Sequence, residues 1–279
     1  MKGVRKPAWL KVKAGGGSGY AKVRDVLASC STHTVCEEAR CPNRGECWSS
    51  GTATFMILGD TCTRGCRFCA VKTSDEGCQV DPEEPGKIAE AAGMLSLRYV
   101  VVTSVDRDDL PDNGSGHFRE CIRRLKGGGL AVEALIPDYL GLDLARVLDA
   151  KPDVLAHNIE VVERLQPVRD ARASYMRSLR TLREAKQISP GLRTKSSIMV
   201  GLGETEEEVL SAMDGLRAAG CDMLVIGQYL QPTVRQVPVS EYVTPAAFKR
   251  YADEARRRGF TSVVSSPLAR TSYRAAEAA

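Results

Sequence analysis

Short β-rich runs alternate with stretches of helical spacing six times between Thr54 and Arg258. That alternation predicts an α/β fold, a partial (β/α)6 barrel of the TIM type with a Cys-rich N-terminal extension. Two further observations point the same way. Crossovers between parallel strands are right-handed, which leaves such a chain little topological choice. Polar residues also gather directly behind the strand-like runs, where barrels of this kind carry their chemistry. A doubly wound open sheet is the other arrangement of the same elements.

The elements follow in order. Residues 1–53 form an arm and a Cys-rich segment. The arm combines an apolar Pro7-Ala8-Trp9-Leu10 patch with a glycine-rich stretch at 15–19, read as a flexible, partly docked linker. Residues 30–53 show few periodic apolar positions. Strands are expected over 54–58, 99–103, 130–136, 154–159, 195–200 and 223–227. Helices are expected over 85–97, 115–126, 142–149, 173–187, 205–218 and 245–258. The last ends on Arg256-Arg257-Arg258, cations that complement the helix dipole. The expected division is arm and Cys-rich segment 1–53, barrel 54–265 and tail 266–279.

Composition narrows the function classes. The 279 residues are 43% hydrophobic, 27% charged and 5% aromatic, as in ordinary globular domains. No apolar run approaches the ~20 residues of a membrane helix. The start, Met1-Lys-Gly-Val-Arg-Lys-Pro, lacks a secretory core, so the ten cysteines point to metal or redox chemistry rather than disulfides. The first 24 residues hold seven Lys or Arg and no acid, as a transit peptide does, but a cytoplasmic protein is the expectation. A net charge of +4 with few aromatics gives no nucleic-acid platform. It could suit an acidic protein partner.

Six cysteines fall in two triplets, Cys36-x4-Cys41-x5-Cys47 and Cys62-x3-Cys66-x2-Cys69. Three thiolates on one loop can hold three corners of a cubane iron–sulfur cluster and leave one iron open for a substrate or cofactor. Arg64 and Arg67 are expected to favour thiolates there, and Phe68 to screen the site from solvent. A zinc site completed by His33 or His117 stays open. Behind the strands lie Gly59-Asp-Thr-Cys62, the polar loop from Ser104 to Gly114, His157-Asn158, Gly201-Leu-Gly203-Glu204 and Gln228-Tyr229.

The second triplet, with an aromatic just before its last cysteine, resembles the motif of the radical S-adenosylmethionine superfamily. That resemblance implies a 4Fe-4S cluster on Cys62, Cys66 and Cys69, and S-adenosylmethionine as cosubstrate and source of 5′-deoxyadenosyl radicals. The first triplet, together with Arg270-Thr271-Ser272-Tyr273, is similar to the lipoyl synthase family. Trp9-Leu-Lys, Thr103-Ser-Val-Asp-Arg-Asp-Asp-Leu-Pro-Asp, His157-Asn158, Met199-Val-Gly-Leu-Gly-Glu-Thr and Gly227-Gln-Tyr-Leu-Gln-Pro extend the likeness over residues 9 to 274.

This second resemblance implies an auxiliary 4Fe-4S cluster on Cys36, Cys41 and Cys47, with Ser272 as its fourth ligand. Thr271 stands where the family has a first serine. The implied reaction inserts two sulfurs at carbons 6 and 8 of a protein-bound octanoyl chain, with the auxiliary cluster as donor. The implied partners are octanoylated lipoyl-carrier domains (2-oxoacid dehydrogenase acyltransferase subunits and the glycine cleavage H protein), a low-potential donor such as ferredoxin or flavodoxin, and an iron–sulfur cluster carrier. No nucleic acid or membrane partner is implied.

Other residues have two readings. Thr103, Ser104 and Asp106 either hold the cofactor or cap and close a loop. Gly201 and Gly203 either let the cofactor approach the backbone or serve a turn. Asn158 and Gln228 either bind ligand or act as buried scaffolding, and Glu133 is either barrel-interior and functional or at an exposed strand end. Cys30, Cys78, Cys121 and Cys221 are expected to be non-ligands. Two other functions remain in view: sulfur insertion into a free small molecule, and a non-catalytic iron–sulfur or zinc module.

Overall fold

A computed structural model describes residues 6–12, 15–273 and 275–278. The parts of the basic arm at 1–5 and 13–14 lie outside the described residues.

A 3-10 turn at Ala8–Leu10 precedes helix α1 (Gly17–Ser29), which is followed by β1 (His33–Thr34), α2 (Val35–Glu38) and α3 (Arg44–Ser49). The barrel strands begin with β2 (Thr54–Ile57). A small parallel pair, β3 (Thr61–Cys62) and β4 (Lys72–Thr73), brackets the second triplet. Then come α4 (Glu84–Met94), β5 (Tyr99–Ser104), α5 (Ser115–Gly127), β6 (Ala131–Leu135), α6 (Gly141–Asp149), β7 (Val154–Ala156), α7 (Tyr175–Ile188), β8 (Arg193–Val200), α8 (Glu206–Ala218), β9 (Met223–Gln228), α9 (Pro245–Arg257), β10 (Ser262–Ser266) and α10 (Ala275–Ala278).

One sheet runs β1-β2-β5-β6-β7-β8-β9-β10 without closing, so the barrel is partial as expected. Only β1 is antiparallel, at the edge beside β2. The sequence predicts six of the eight strands of this sheet and misses its two edges, β10 and the two-residue β1, as well as the β3–β4 pair. Every residue of β10 is half-buried, and its Ser-Val-Val-Ser-Ser stretch is an edge strand without a strong apolar signal. The outer helices form where local signals and an apolar stripe agree. Thr205 and Glu208 make a capping box for α8, and Thr244 with Pro245 starts α9. Phe248, Tyr251, Ala252 and Ala255 then turn the same face of α9 to the sheet.

The N-terminal region differs from expectation. The glycine-rich stretch read as a linker runs into a thirteen-residue helix. Val23, Val26 and Leu27 of α1 are buried, and Tyr20 packs on Trp48 of α3 with ring centroids 5.1 Å apart. Tertiary burial outweighs the low helix propensity of glycine here. The Cys-rich segment is therefore ordered by packing as well as by any metal.

Glu133 settles into the barrel interior. Its carboxylate meets Lys195 Nζ at 2.9 and 3.0 Å and accepts a 2.7 Å hydrogen bond from Tyr99 Oη. Both charged side chains are essentially inaccessible to water, and neither borders the cavity described below. The pair is a structural floor. Removing one partner leaves a buried charge alone, which costs about 3–5 kcal/mol. Lys195→Met is expected to lower unfolding free energy by that order in urea titration; a loss under about 1 kcal/mol would show the pair is not a structural tie.

Candidate functional site

Strand β2 ends at Ile57, and Leu58, at φ +67°, turns the chain out of the sheet into the loop that carries Cys62, Cys66 and Cys69. Three contacts fix that loop over the barrel mouth. The Thr63 N–H donates to the Asp106 carbonyl (3.0 Å), and its hydroxyl donates to Asp108 (2.8 Å). Arg64 is buried and reaches three carboxylates: Asp108 through Nε and Nη2 (3.0 and 2.8 Å), Asp138 (2.8 Å) and Asp106 (3.3 Å). The Gly65 N–H donates to Asp170 (2.9 Å).

The loop aims backbone donors at every sulfur of the triplet. Cys62 Sγ accepts from the N–H groups of Arg64 (3.4 Å) and Asp106 (3.3 Å). Cys66 Sγ accepts from Asp170 (3.3 Å), and Cys69 Sγ from Val71 (3.5 Å). Such donors stabilise sulfur-borne negative charge and tune cluster potentials. The donor set thus fits a thiolate-held cluster. It fits zinc less well: His117 is bound to Glu84 at 2.6 Å, and His33 lies 3.7 Å from Glu38.

The arginines do not do what their positions in the sequence suggest. Arg64 is committed to its three carboxylates, and Arg67 is exposed. Burial pushes the thiols of Cys62 and Cys66 up to about 12 and that of Cys69 up to about 11; the carboxylate of Asp106 adds to each. Burial likewise raises Asp106 to about 6, against the pull of Arg64, and its Oδ2 lies 3.7 Å from Cys62 Sγ.

The first triplet lies across the mouth. Cys36 on α2 is buried, which raises its thiol to about 11. The Cys41 N–H donates to the Cys36 carbonyl (3.1 Å), and Cys47 sits on α3. The C-terminal tail is held by three anchors, two to this segment and one to the barrel. Asn43 Nδ2 donates to the Leu268 carbonyl (2.7 Å), and Tyr273 Oη donates to Glu46 (2.8 Å). Thr271 Oγ1 lies 3.1 Å from Asn158 Oδ1 and 3.0 Å from Ser197 Oγ. Gly227 makes the crossing possible, because a Cβ there would stand 2.1 Å from the Ala269 carbonyl oxygen.

A single cavity of about 580 Å³ joins the two halves. Cys62, Cys66 and Cys69 border it, and so do Cys41, Arg270 and Ser272, while Cys36 and Cys47 do not. Thr103, Ser104, Asp106 and Asn158 also border it, while Met56, Val105, Leu135, Ile198 and Val225 give it an apolar lining.

Other candidates are placed elsewhere. Gly201 and Gly203 (φ +98° and +105°) and Gln228 do not border the cavity. Gln228 is fully buried; its amide donates to the Tyr229 and Glu241 carbonyls and accepts from the Val243 N–H, so it is scaffolding for the loop after β9. Asn158 borders the cavity, but its side chain is engaged by Glu160 and Thr271. Cys121 and Cys221 are fully buried, Cys30 is buried beside Met94, and Cys78 contacts Asp60.

Two more residues border the cavity: Glu160, which sequence reasoning missed, and His157, which it placed behind a strand without giving it a role. Glu160 holds a left-handed backbone (φ +66°) at the end of β7, and burial raises its carboxyl. The strain of a non-glycine residue there is a mark of functional sites, but φ cannot be read from sequence. His157 gives Nδ1 to the Ile136 carbonyl (2.9 Å); its Nε2 is buried with no protein partner, and burial lowers its pKa to about 4, so the ring is neutral.

Comparison with known proteins agrees with this geometry. The family model of the radical SAM superfamily matches residues 56–216. That of the N-terminal domain of lipoyl synthase matches residues 2–41. Lipoyl synthase of Halorhodospira halophila is 53% identical over 276 residues, 97% of this chain and 83% of that protein. The lipoyl synthase of Thermus thermophilus is also 53% identical, over 97% and 85% of the two chains. The mitochondrial lipoyl synthase of Arabidopsis thaliana is 52% identical over 99% and 77%. Among solved structures, methylornithine synthase aligns with a TM-score of 0.57 at 16% identity, covering 88% of this chain and 78% of that one. The hydrogenase maturase HydG from Carboxydothermus hydrogenoformans gives 0.59 at 13%, covering 75% and 52%. These two show the shared fold alone.

A partial parallel barrel with a three-cysteine loop at its mouth defines a radical SAM enzyme. Within that class, the chain belongs to the lipoyl synthase family.

The raised thiols make a prediction about assembly. Iron binds thiolate, so each protonated ligand must lose its proton on ligation, and apparent cluster affinity rises with pH below the thiol pKa. A variant with Cys36, Cys41 and Cys47 changed to Ala is expected, when reconstituted anaerobically in weak buffer, to release about three protons per cluster beyond those that the hydrosulfide itself gives up. Release no greater than the hydrosulfide contribution would mean that the second triplet is already ionised.

Proposed function

We infer that this chain inserts two sulfur atoms, at carbons 6 and 8, into an octanoyl chain carried on a lysine of a lipoyl-carrier protein. S-adenosylmethionine supplies the 5′-deoxyadenosyl radicals that remove the hydrogens, and an auxiliary 4Fe-4S cluster is the sulfur substrate. The observation that carries this reading is the shared cavity. It is mostly apolar and is bordered both by the thiols of the second triplet and by Cys41 and Ser272. An acyl chain lying there meets both a radical source and a sulfur source.

Cys62, Cys66 and Cys69 hold the 4Fe-4S cluster that, when bound, delivers one electron to the sulfonium of S-adenosylmethionine. Cys36, Cys41, Cys47 and Ser272 hold the sulfur donor. The chain's own residues do the rest. The N–H groups of Arg64, Asp106, Asp170 and Val71 stabilise the thiolates. Thr103, Ser104, Asp106, Asn158 and Glu160 line the polar side of the cavity, where the amino, carboxylate and ribose groups of the cosubstrate find partners. Met56, Val105, Leu135 and Val225 face the hydrocarbon and exclude water from a reactive radical. A hydroxylate ligand at Ser272 is protonated and displaced more readily than a thiolate, which suits a cluster that is consumed.

We further infer a cytoplasmic protein whose carriers are 2-oxoacid dehydrogenase acyltransferase domains and the glycine cleavage H protein. A ferredoxin- or flavodoxin-type reductant and a cluster carrier complete the cycle. No helix among the described residues is long and apolar enough to cross a membrane.

The test is anaerobic. Protein reconstituted with iron and sulfide is given S-adenosylmethionine, a low-potential reductant and an octanoyl-lysine peptide, and both products are followed by mass spectrometry. Deoxyadenosine with a two-sulfur product is expected; neither product from fully clustered protein would sink the reading. Cys62→Ala is expected to abolish deoxyadenosine. Ser272→Ala is expected to keep deoxyadenosine formation within about threefold and to cut sulfur insertion by about a hundredfold. Full insertion by Ser272→Ala would remove the serine from the ligand set.

A further inference from the structure

The rim of the cavity has an unusual charge pattern. Lys6 and Arg40 border the mouth on the N-terminal side. On the other side, the loop 231–237 leans on the second triplet: the Val237 N–H donates to the Arg67 carbonyl (3.0 Å), and Gln236 Nε2 donates to the Cys69 carbonyl (2.9 Å). Arg67, between the cavity-lining Cys66 and Phe68, and Arg235, three residues beyond the cavity-lining Pro232, add two more cations beside the cavity. All four are exposed, and among the described residues none forms an ion pair.

Elsewhere on the surface arginines are commonly matched, as in Arg123–Asp149 at 2.6 Å, Arg164–Glu208 at 2.6 Å and Arg250–Glu206 at 3.0 Å. The acids nearest Arg40 on α2 are already engaged, Glu37 by Arg44 and Glu38 by His33. Exposed apolar side chains accompany them: Val12 on the cavity edge, 46% exposed, and Val234, next to Arg235 in sequence and 96% exposed. Unmatched charge around exposed apolar groups is the make-up of a surface that another protein completes.

We propose that this rim is the docking surface for the carrier, and that it recognises an acidic face of the carrier around the acylated lysine. The inference rests on the functional reading above. An eight-carbon chain on a lysine side chain is short, so bringing its far carbons into the cavity presses the carrier's own surface onto the rim. The cations then steer the encounter and hold the carrier, while the reacting atoms remain inside the cavity. Nucleic acid is the less suitable occupant, because the rim offers no run of aromatic faces for bases.

The test compares two substrates of the clustered enzyme: an octanoylated carrier domain, and a short octanoyl-lysine peptide without acidic residues. The variant is Lys6→Glu with Arg235→Glu, neither of which lies next to a cysteine of the two triplets. Its iron content and circular dichroism are matched to the parent protein. For the carrier, kcat/KM is expected to fall by about tenfold or more with kcat nearly unchanged, and to fall similarly in the parent protein as ionic strength rises from about 0.05 to 0.3 M. For the peptide, both changes are expected to stay within about twofold. Fluorescence anisotropy of a labelled, non-acylated carrier domain reads docking without turnover, and the variant is expected to lose it.

Failure of the parent protein to convert either substrate would count against the functional reading and leave the anisotropy result to judge the surface. Carrier turnover and anisotropy that ignore both salt and charge reversal would overturn the docking proposal. So would tight, salt-sensitive binding of a single-stranded oligonucleotide with none of the carrier.

Discussion

One buried guanidinium organises the active end of this barrel. Arg64 leaves the cysteine loop after β2 and is bound by Asp106 and Asp108 behind β5 and by Asp138 behind β6. A loop is normally the mobile part of a barrel. Here its centre is tied to two neighbouring strand ends by charge-assisted hydrogen bonds, shielded from water and therefore strong. The positions of Cys62 and Cys66 depend on that tie, because the N–H of Asp106 and that of Arg64 itself are among the donors to Cys62. The same arrangement explains why the thiols are not ionised by the arginine beside them. Its charge is already compensated, and what the sulfurs meet is burial and the carboxylate of Asp106.

The second half of the site is assembled over a long sequence distance. The tail at 268–273 crosses β9 at Gly227 and is fastened to α3, to β8 and to the end of β7. Its anchors are single hydrogen bonds, each worth about 1 kcal/mol net. The contrast with the Arg64 cluster is functional. Under the proposed function, a loop that generates radicals repeatedly is held rigidly, whereas Ser272, the proposed ligand of a cluster that is consumed, sits on a segment held by modest, reversible contacts.

The floor of the barrel is stabilised by different means. Glu133 and Lys195 form a pair shut off from water and from the cavity alike, joined by Tyr99 from the neighbouring strand. The sheet is open at β10, so no strand closes it there. A buried ion pair linking β5, β6 and β8 supplies lateral connection where the apolar core alone would leave strand order less strongly specified.

Much of this was legible in the sequence. The periods of the apolar positions gave six strands and six helices nearly in place, because a parallel strand buried on both faces and an amphipathic helix leave unmistakable patterns. Cys62-x3-Cys66-x2-Cys69 and Cys36-x4-Cys41-x5-Cys47 were equally plain, since ligand spacing is a local property. What sequence could not reveal were facts of approach and environment. The helix α1 forms in a glycine-rich stretch only because Trp48 and its neighbours bury one face. The edge strand β10 has no strong pattern because it is half-buried. Gln228 had the right residue type at a strand end, but its amide faces three backbone groups rather than the cavity. Glu160 and His157 became conspicuous only through a left-handed backbone and an unpartnered ring nitrogen. Covalent order fixes spacing, and spacing fixes which residues can act together on one loop. Burial, charge compensation and the meeting of distant segments are set by the packed chain, so the environment of each thiol and the lining of one cavity by both Ser272 and Cys41 were decided by the tertiary structure alone.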